Sequence, residues 1–141
     1  MADQGTIAAL HEALDDEYKA RATYHAIIKK FGPVRPFVNI VEAEGRHAEA
    51  LLAQFHRLGI PPRPDPWAGR ATAPATLAEA CASAVQAEIE NAAMYDRLLA
   101  QITDPEVREV MLRLRMASQE RHLPAFRRCL ARESGGDLPR A

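Results

Sequence analysis

The stretch "EGRH", Glu44 to His47, returns 75 residues later as "QERH", Gln119 to His122, and each copy is followed at the same offset by an alanine, Ala50 and Ala125. A carboxylate or amide three residues ahead of an imidazole shares its face of a helix. A second pair of segments repeats as well. "EYKARATYHAII" (17–28) lies over "EIENAAMYDRLL" (88–99), with Glu, Ala and Tyr at matching offsets. The repeating unit is therefore Glu-x6-Tyr followed by [Glu/Gln]-x-Arg-His. Its length and spacing are those of a helical hairpin used twice.

Working outward, the breakers "FGPVRP" (31–36), "LGIPPRPDPWAG" (58–69), "TDP" (103–105) and "SGG" (134–136) divide the chain into four helical segments. Helix 1 is expected from about Thr6 to Phe31, with Gly32 and Pro33 behind it. Helix 2 opens near Pro36 and stops at Gly59, and helix 3 runs from about Thr76 to Ile102. Asp104 as N-cap with Pro105 behind it starts helix 4, which ends before Gly135. Short turns join helices 1 and 2, and 3 and 4. The Pro-rich connection of roughly 17 residues between helices 2 and 3 is long enough, at about 3 Å per residue, to run the length of a bundle. The expected fold is all-α: a four-helix bundle of two antiparallel hairpins joined by a long crossover (59–75). A loose linker in an up-down bundle is the other reading of the same spacing. One domain covers 1–141, with 1–5 and 134–141 as disordered tails.

Each helix shows an apolar seam with a polar break near its middle. Helix 1 reads Ile7, Leu10, Leu14, Glu17, Tyr24, Ile28, and helix 2 reads Phe37, Ile40, Glu44, His47, Leu51, Leu58. Helix 3 reads Leu77, Cys81, Ala84, Glu88, Tyr95, Leu98, Ile102, and helix 4 reads Leu112, Gln119, His122, Phe126, Cys129. Counted from the turns, Glu17 and His47 are 15 residues from Gly32. Glu88 and Gln119 are 16 and 15 from Asp104, so the breaks come level. Burying unpaired carboxylates costs roughly several kcal/mol each. Two arrangements offset that cost: an ion-pair network with arginines such as Arg21 and Arg115, or bound metal. Carboxylates and imidazoles together form a ligand set for iron, manganese or zinc.

These residues resemble the ferritin-like di-metal carboxylate superfamily of bacterioferritin and rubrerythrin, and within it small uncharacterised rubrerythrin-like proteins. The shared pattern is one Glu from each of two helices and Glu-x-x-His from each of the other two. The resemblance implies that Glu17 and His47 hold one metal, Glu88 and His122 the other, and Glu44 bridges them. The second bridging Glu falls at Gln119, whose neutral carbonyl oxygen bridges two cations poorly. Two ions, one ion in an asymmetric site, and none all stay open. Glu120, next to Gln119, is turned ~100° away. Tyr24 and Tyr95 are implied partners of the carboxylate ligands or participants in electron transfer; core aromatics are the plainer reading.

The resemblance also implies the function: iron binding, with Mn or Zn as other ions, and ferroxidase or rubrerythrin-like peroxidase chemistry on ferrous iron with dioxygen or hydrogen peroxide. Whether the chain is an enzyme, a di-iron oxidoreductase, stays open. The rival is a non-catalytic bundle with a relict or single-metal site that acts as a structural or partner-binding module. The two cysteines, Cys81 and Cys129, form no CxxC, so a peroxidase would need an external electron donor. They read as small core residues rather than a disulfide, because the expected compartment is the cytoplasm. His11, His25 and His56 read as surface residues, and Gly45 as a point of close helix approach.

A net charge of -1 gives no case for nucleic acid or an anionic membrane. No run of about 20 apolar residues suggests a span, and the N-terminus lacks the pattern of a signal peptide. A homodimer is the expected assembly.

Overall fold

Asp3 caps the first helix by accepting a hydrogen bond from the Thr6 amide at 2.7 Å. In the computed structural model, which describes residues 2–135, this helix, α1, spans Gln4–Phe31 and ends on Gly32 at φ 92°. α2 spans Phe37–Leu58 and stops at Gly59, whose φ of 70° is the left-handed cap that glycine adopts most readily. α3 spans Leu77–Leu99 behind the Thr76 cap, and α4 spans Pro105–Ala117 behind Asp104, with Pro105 in its first turn. A π turn, Ser118–His122, joins α4 to α5, Leu123–Ser134, without a break. The result is an all-helical bundle of four rods, with no strand among the described residues. No helix among them is long and apolar enough to cross a membrane.

Polar contacts show which ends meet. Thr103 of the α3–α4 turn bonds Asp3 and Thr6, and Arg57 near the end of α2 pairs with Asp104 at 2.6 Å. At the other end Lys30 donates to the Pro74 carbonyl, and Arg132 to that of Arg35. The connection between α2 and α3 is strapped to α1. Asp65 pairs with Arg21 at 3.2 Å, and Trp67 donates through its indole to Asp15.

Two apolar clusters stack along the bundle. Leu10, Leu14, Leu51, Phe55, Leu98 and Met111 belong to one, and Ile27, Phe37, Ile40, Cys81 and Phe126 to the other. Between them, at the middle of each rod, lies the polar layer.

Several expectations are corrected. The 1–5 tail is ordered from Asp3, and Ser134 closes α5; the rest of the expected C-terminal tail, from 136 on, lies outside the described residues. Leu112 is 44% exposed, and α4 instead buries Val107, Val110, Met111 and Leu114. Its seam shifts because the π turn adds a residue to the rotation between Ser118 and His122. Cys81 and Cys129 are bonded to each other, with Cα atoms 5.7 Å apart. Cys81 lies seven residues before Glu88 and Cys129 seven after His122, so the two come level, and that outweighs the assumption of a reducing compartment. A Cβ on Gly45 would meet nothing within 4 Å, so close helix approach does not explain this glycine. His11 is half-buried against Phe55, at 5.0 Å between ring centroids, rather than simply at the surface.

Candidate metal centre

Glu17, Glu44, Glu88 and His122 are each at least 95% buried, which is costly for such groups unless something neutralises them. α1 supplies Glu17, α2 supplies Glu44 and His47, α3 supplies Glu88, and the π turn supplies His122. Their ligand atoms fall into two groups, Glu17–Glu44–His47 and Glu44–Glu88–His122, each compact enough to surround one ion. Glu44 belongs to both.

The atoms show how. Nδ1 of His47 is 3.1 Å from Glu17 Oε1 and 3.8 Å from Glu44 Oε2. Nδ1 of His122 is 3.2 Å from Glu44 Oε1 and 3.3 Å from Glu88 Oε1. The two oxygens of Glu44 thus face different imidazoles, and those rings stack at 5.4 Å between centroids. Nδ1 of His122 is buried and has no hydrogen-bond partner despite its two carboxylate neighbours. An orphaned nitrogen aimed between carboxylate oxygens fits a cation better than it fits a hydrogen-bond network.

The outer oxygens are held from behind. Tyr95 on α3 donates to Glu17 Oε2 on α1 at 2.8 Å, and Tyr24 on α1 donates to Glu88 Oε2 on α3 at 2.6 Å. The repeat in the sequence is therefore also an exchange in space: each half's tyrosine serves the other half's glutamate. Asn91 adds a bond to Glu17 Oε2 at 3.1 Å, whereas the Ser118 hydroxyl donates at 2.7 Å to Glu88 Oε1, the inner oxygen that also faces His122. Burial, then the charge of the neighbouring glutamates, pushes both phenols well above their ordinary range, so they stay protonated as donors.

Electrostatics divide the carboxylates. Burial, then the charge of Glu17, pushes Glu44 well up, so without a cation it keeps its proton. Burial also acts against Glu17, but hydrogen bonds with Glu44, His47 and Tyr95, together with the charge of His47, hold it down to about 2. Asp16, just outside, is pushed up to about 6, mainly by burial, against the hydrogen bond from Asn91.

Arginine does not neutralise this layer. Arg21 pairs with Asp65 and Arg115 with Asp96, both away from it. Among the described residues, the only basic side chains within 4.0 Å of the Glu17, Glu44 and Glu88 carboxyl oxygens are the imidazoles of His47 and His122.

Of the residues expected at the site, Glu17, Glu44, His47, Glu88 and His122 come together, with Tyr24 and Tyr95 behind them. Gln119 does not: it is exposed, as is Glu120. Within the π turn the Leu123 amide bonds the Ser118 carbonyl five residues back, which turns Ser118 inward in place of Gln119. Pro124 gives the local reason. It has no N–H for the Glu120 carbonyl four residues back, and its ring crowds that oxygen. Ser118 and Asn91 are the site residues that seam reading misses. Pro124, two residues after His122, is the signal that could have located Ser118.

The chain matches no protein-family model, and no curated protein is significantly similar to it.

Proposed function

We propose that this chain is a ferritin-like metalloprotein that binds two divalent cations, iron foremost, on either side of Glu44 and oxidises ferrous iron with dioxygen or hydrogen peroxide. The observation that carries the reading is the shared Glu44 between two Glu–Glu–His groups, with the orphaned His122 nitrogen aimed into one of them. The meeting of helix ends and the strapped connection support the reading of two antiparallel hairpins joined by a crossover, the ferritin-like arrangement.

Glu17 and His47 would hold one ion, Glu88 and His122 the other, and Glu44 one oxygen of each. Each group offers two carboxylates and one imidazole, which leaves coordination positions free for water or an oxidant. Bound ferrous ions supply the electrons that reduce the oxidant. The chain's part is to hold the geometry. Tyr24, Tyr95 and Asn91 fix the outer oxygens of Glu88 and Glu17, so that the inner oxygens face the centre. Glu44, with no phenol behind it, gives up its proton when a cation binds. With three carboxylates against two divalent ions, the loaded centre would keep a net positive charge and would favour an added anionic ligand. The cysteines form no rubredoxin-like pair, so repeated turnover as a peroxidase calls for an external electron donor.

Anaerobic titration of metal-free protein with ferrous ion, followed by oxidant, tests this. Two ions per chain and rapid oxidant consumption are expected, with both lost in Glu44→Ala. Absence of uptake, or uptake unchanged in that variant, would overturn the reading.

A further inference from the structure

A cavity of about 120 Å³ opens between α1 and α3 and reaches Glu44 and Glu88. Its walls are mostly small: Ala20, Thr23, Ser83, Ala84 and Ala87. The repeat explains part of the gap. Ala20 stands three residues after Glu17 where Asn91 stands three after Glu88, so one half carries a methyl group where the other carries an amide. Asp16 and Glu90 line the same cavity with Asn91 and Lys19. The Lys19 ammonium lies over the Trp67 ring, 5.4 Å from its centroid. Asn91 is itself 92% buried and joins mouth to centre, donating to Asp16 Oδ2 at 2.7 Å and to Glu17 Oε2 at 3.1 Å.

We infer that divalent cations reach the centre through this α1–α3 opening, with the Asp16 carboxylate as the outer relay. The inference rests on the metal-centre reading above and adds the route and its residues. Leaving aside Glu44, which holds its proton until a cation binds, three carboxylates (Asp16, Glu88 and Glu90) against one ammonium bias the passage toward cations, and low-dielectric walls strengthen that bias. The orphaned His122 nitrogen marks where the path ends, beyond Glu44 and Glu88.

The test mixes metal-free protein with Co(II) alone in a stopped-flow instrument, reads the visible absorption of the bound ion, and counts bound ions at equilibrium in the same samples. Ala20→Leu narrows the passage and should slow loading by about tenfold or more while leaving the final count native. Asp16→Asn should slow it by roughly three- to tenfold and flatten its dependence on ionic strength. Loading within about twofold of native in both variants, at the native count, would overturn the entrance and leave the centre standing. If Ala20→Leu lowers the count by disturbing the helices, the rate and salt dependence of Asp16→Asn decide alone. No binding of Co(II) by native protein would remove the centre, and the entrance with it.

Discussion

In the proposed centre Glu44 is the one residue that could not be exchanged for another, because its two oxygens look toward His122 and His47 respectively. Glu17 and Glu88 each turn one oxygen inward and give the other to a phenol. Removing that phenol should let the carboxylate rotate: Tyr24→Phe and Tyr95→Phe are each expected to weaken cation affinity by about 10- to 100-fold. Equilibrium titration checks this, and native affinity in both would reduce the tyrosines to core packing. The titration of these groups also sets a pH dependence. A raised carboxyl holds its proton more tightly folded than unfolded, so its favourable contribution is present at low pH and fades as pH rises. For Asp16 the window runs from the ordinary 3.8 to about 6, and Glu44 extends it upward. Glu17 acts oppositely, adding stability above 4.5 that is lost as pH falls toward about 2. Metal-free protein should therefore lose stability between about pH 4 and 6, by up to about 3 kcal/mol from Asp16 alone. With excess divalent cation the trend should reverse, because deprotonated carboxylates are what the cation binds. Urea melts across that range, with and without cation, show both. The clustering of Glu17, Glu44, His47, Glu88 and His122 was legible from spacing, since Glu and His interrupt apolar seams at equal heights. Asn91 was not, because one amide on a helix face carries no periodic signal.

At the scale of the element, the π turn decides which residue of the second tetrad matters. Regular α spacing places Gln119 beside His122 on the inner face, and the extra residue in the turn puts Ser118 there instead. Two substitutions separate these registers. Gln119→Glu should leave cation affinity and count unchanged, because its side chain lies at the surface. Ser118→Asp places a third carboxylate next to Glu88 and His122 and should tighten the ion there by about tenfold or more, as added ligand charge does. Isothermal titration of both variants checks the assignment, and the reverse pattern would mean that the helix is regular at this point. The starts of α3 and α4 were legible from the side chains that cap them, Thr76 and Asp104, whereas the Asp3 cap of α1 was passed over because 1–5 reads as a tail. The π turn was hidden because seam reading assumes one constant rotation per residue, which Pro124 disturbs.

For the whole molecule, the bond between Cys81 and Cys129 ties α3 to α5, the two helical segments that flank Glu88 and His122. It joins residues 48 apart in sequence, and closing a loop of that length in the unfolded chain stabilises by up to about 4 kcal/mol. Reduction should lower the urea midpoint accordingly, and an unchanged midpoint would mean that native packing alone fixes these helices. The four rods and their order were legible because breakers are few and the hairpin repeats. The contacts that strap the connection to α1 were not, because Asp65 and Trp67 meet Arg21 and Asp15 only once the chain has folded. Polar residues from all four rods meet between two apolar clusters, and the central proposal is that cations neutralise them there. Anomalous diffraction from a crystal grown with cobalt or iron tests that claim most directly. Two peaks are expected, one among Glu17, Glu44 and His47 and the other among Glu44, Glu88 and His122. A well-ordered layer with no peak, or a peak only at surface carboxylates, would contradict it.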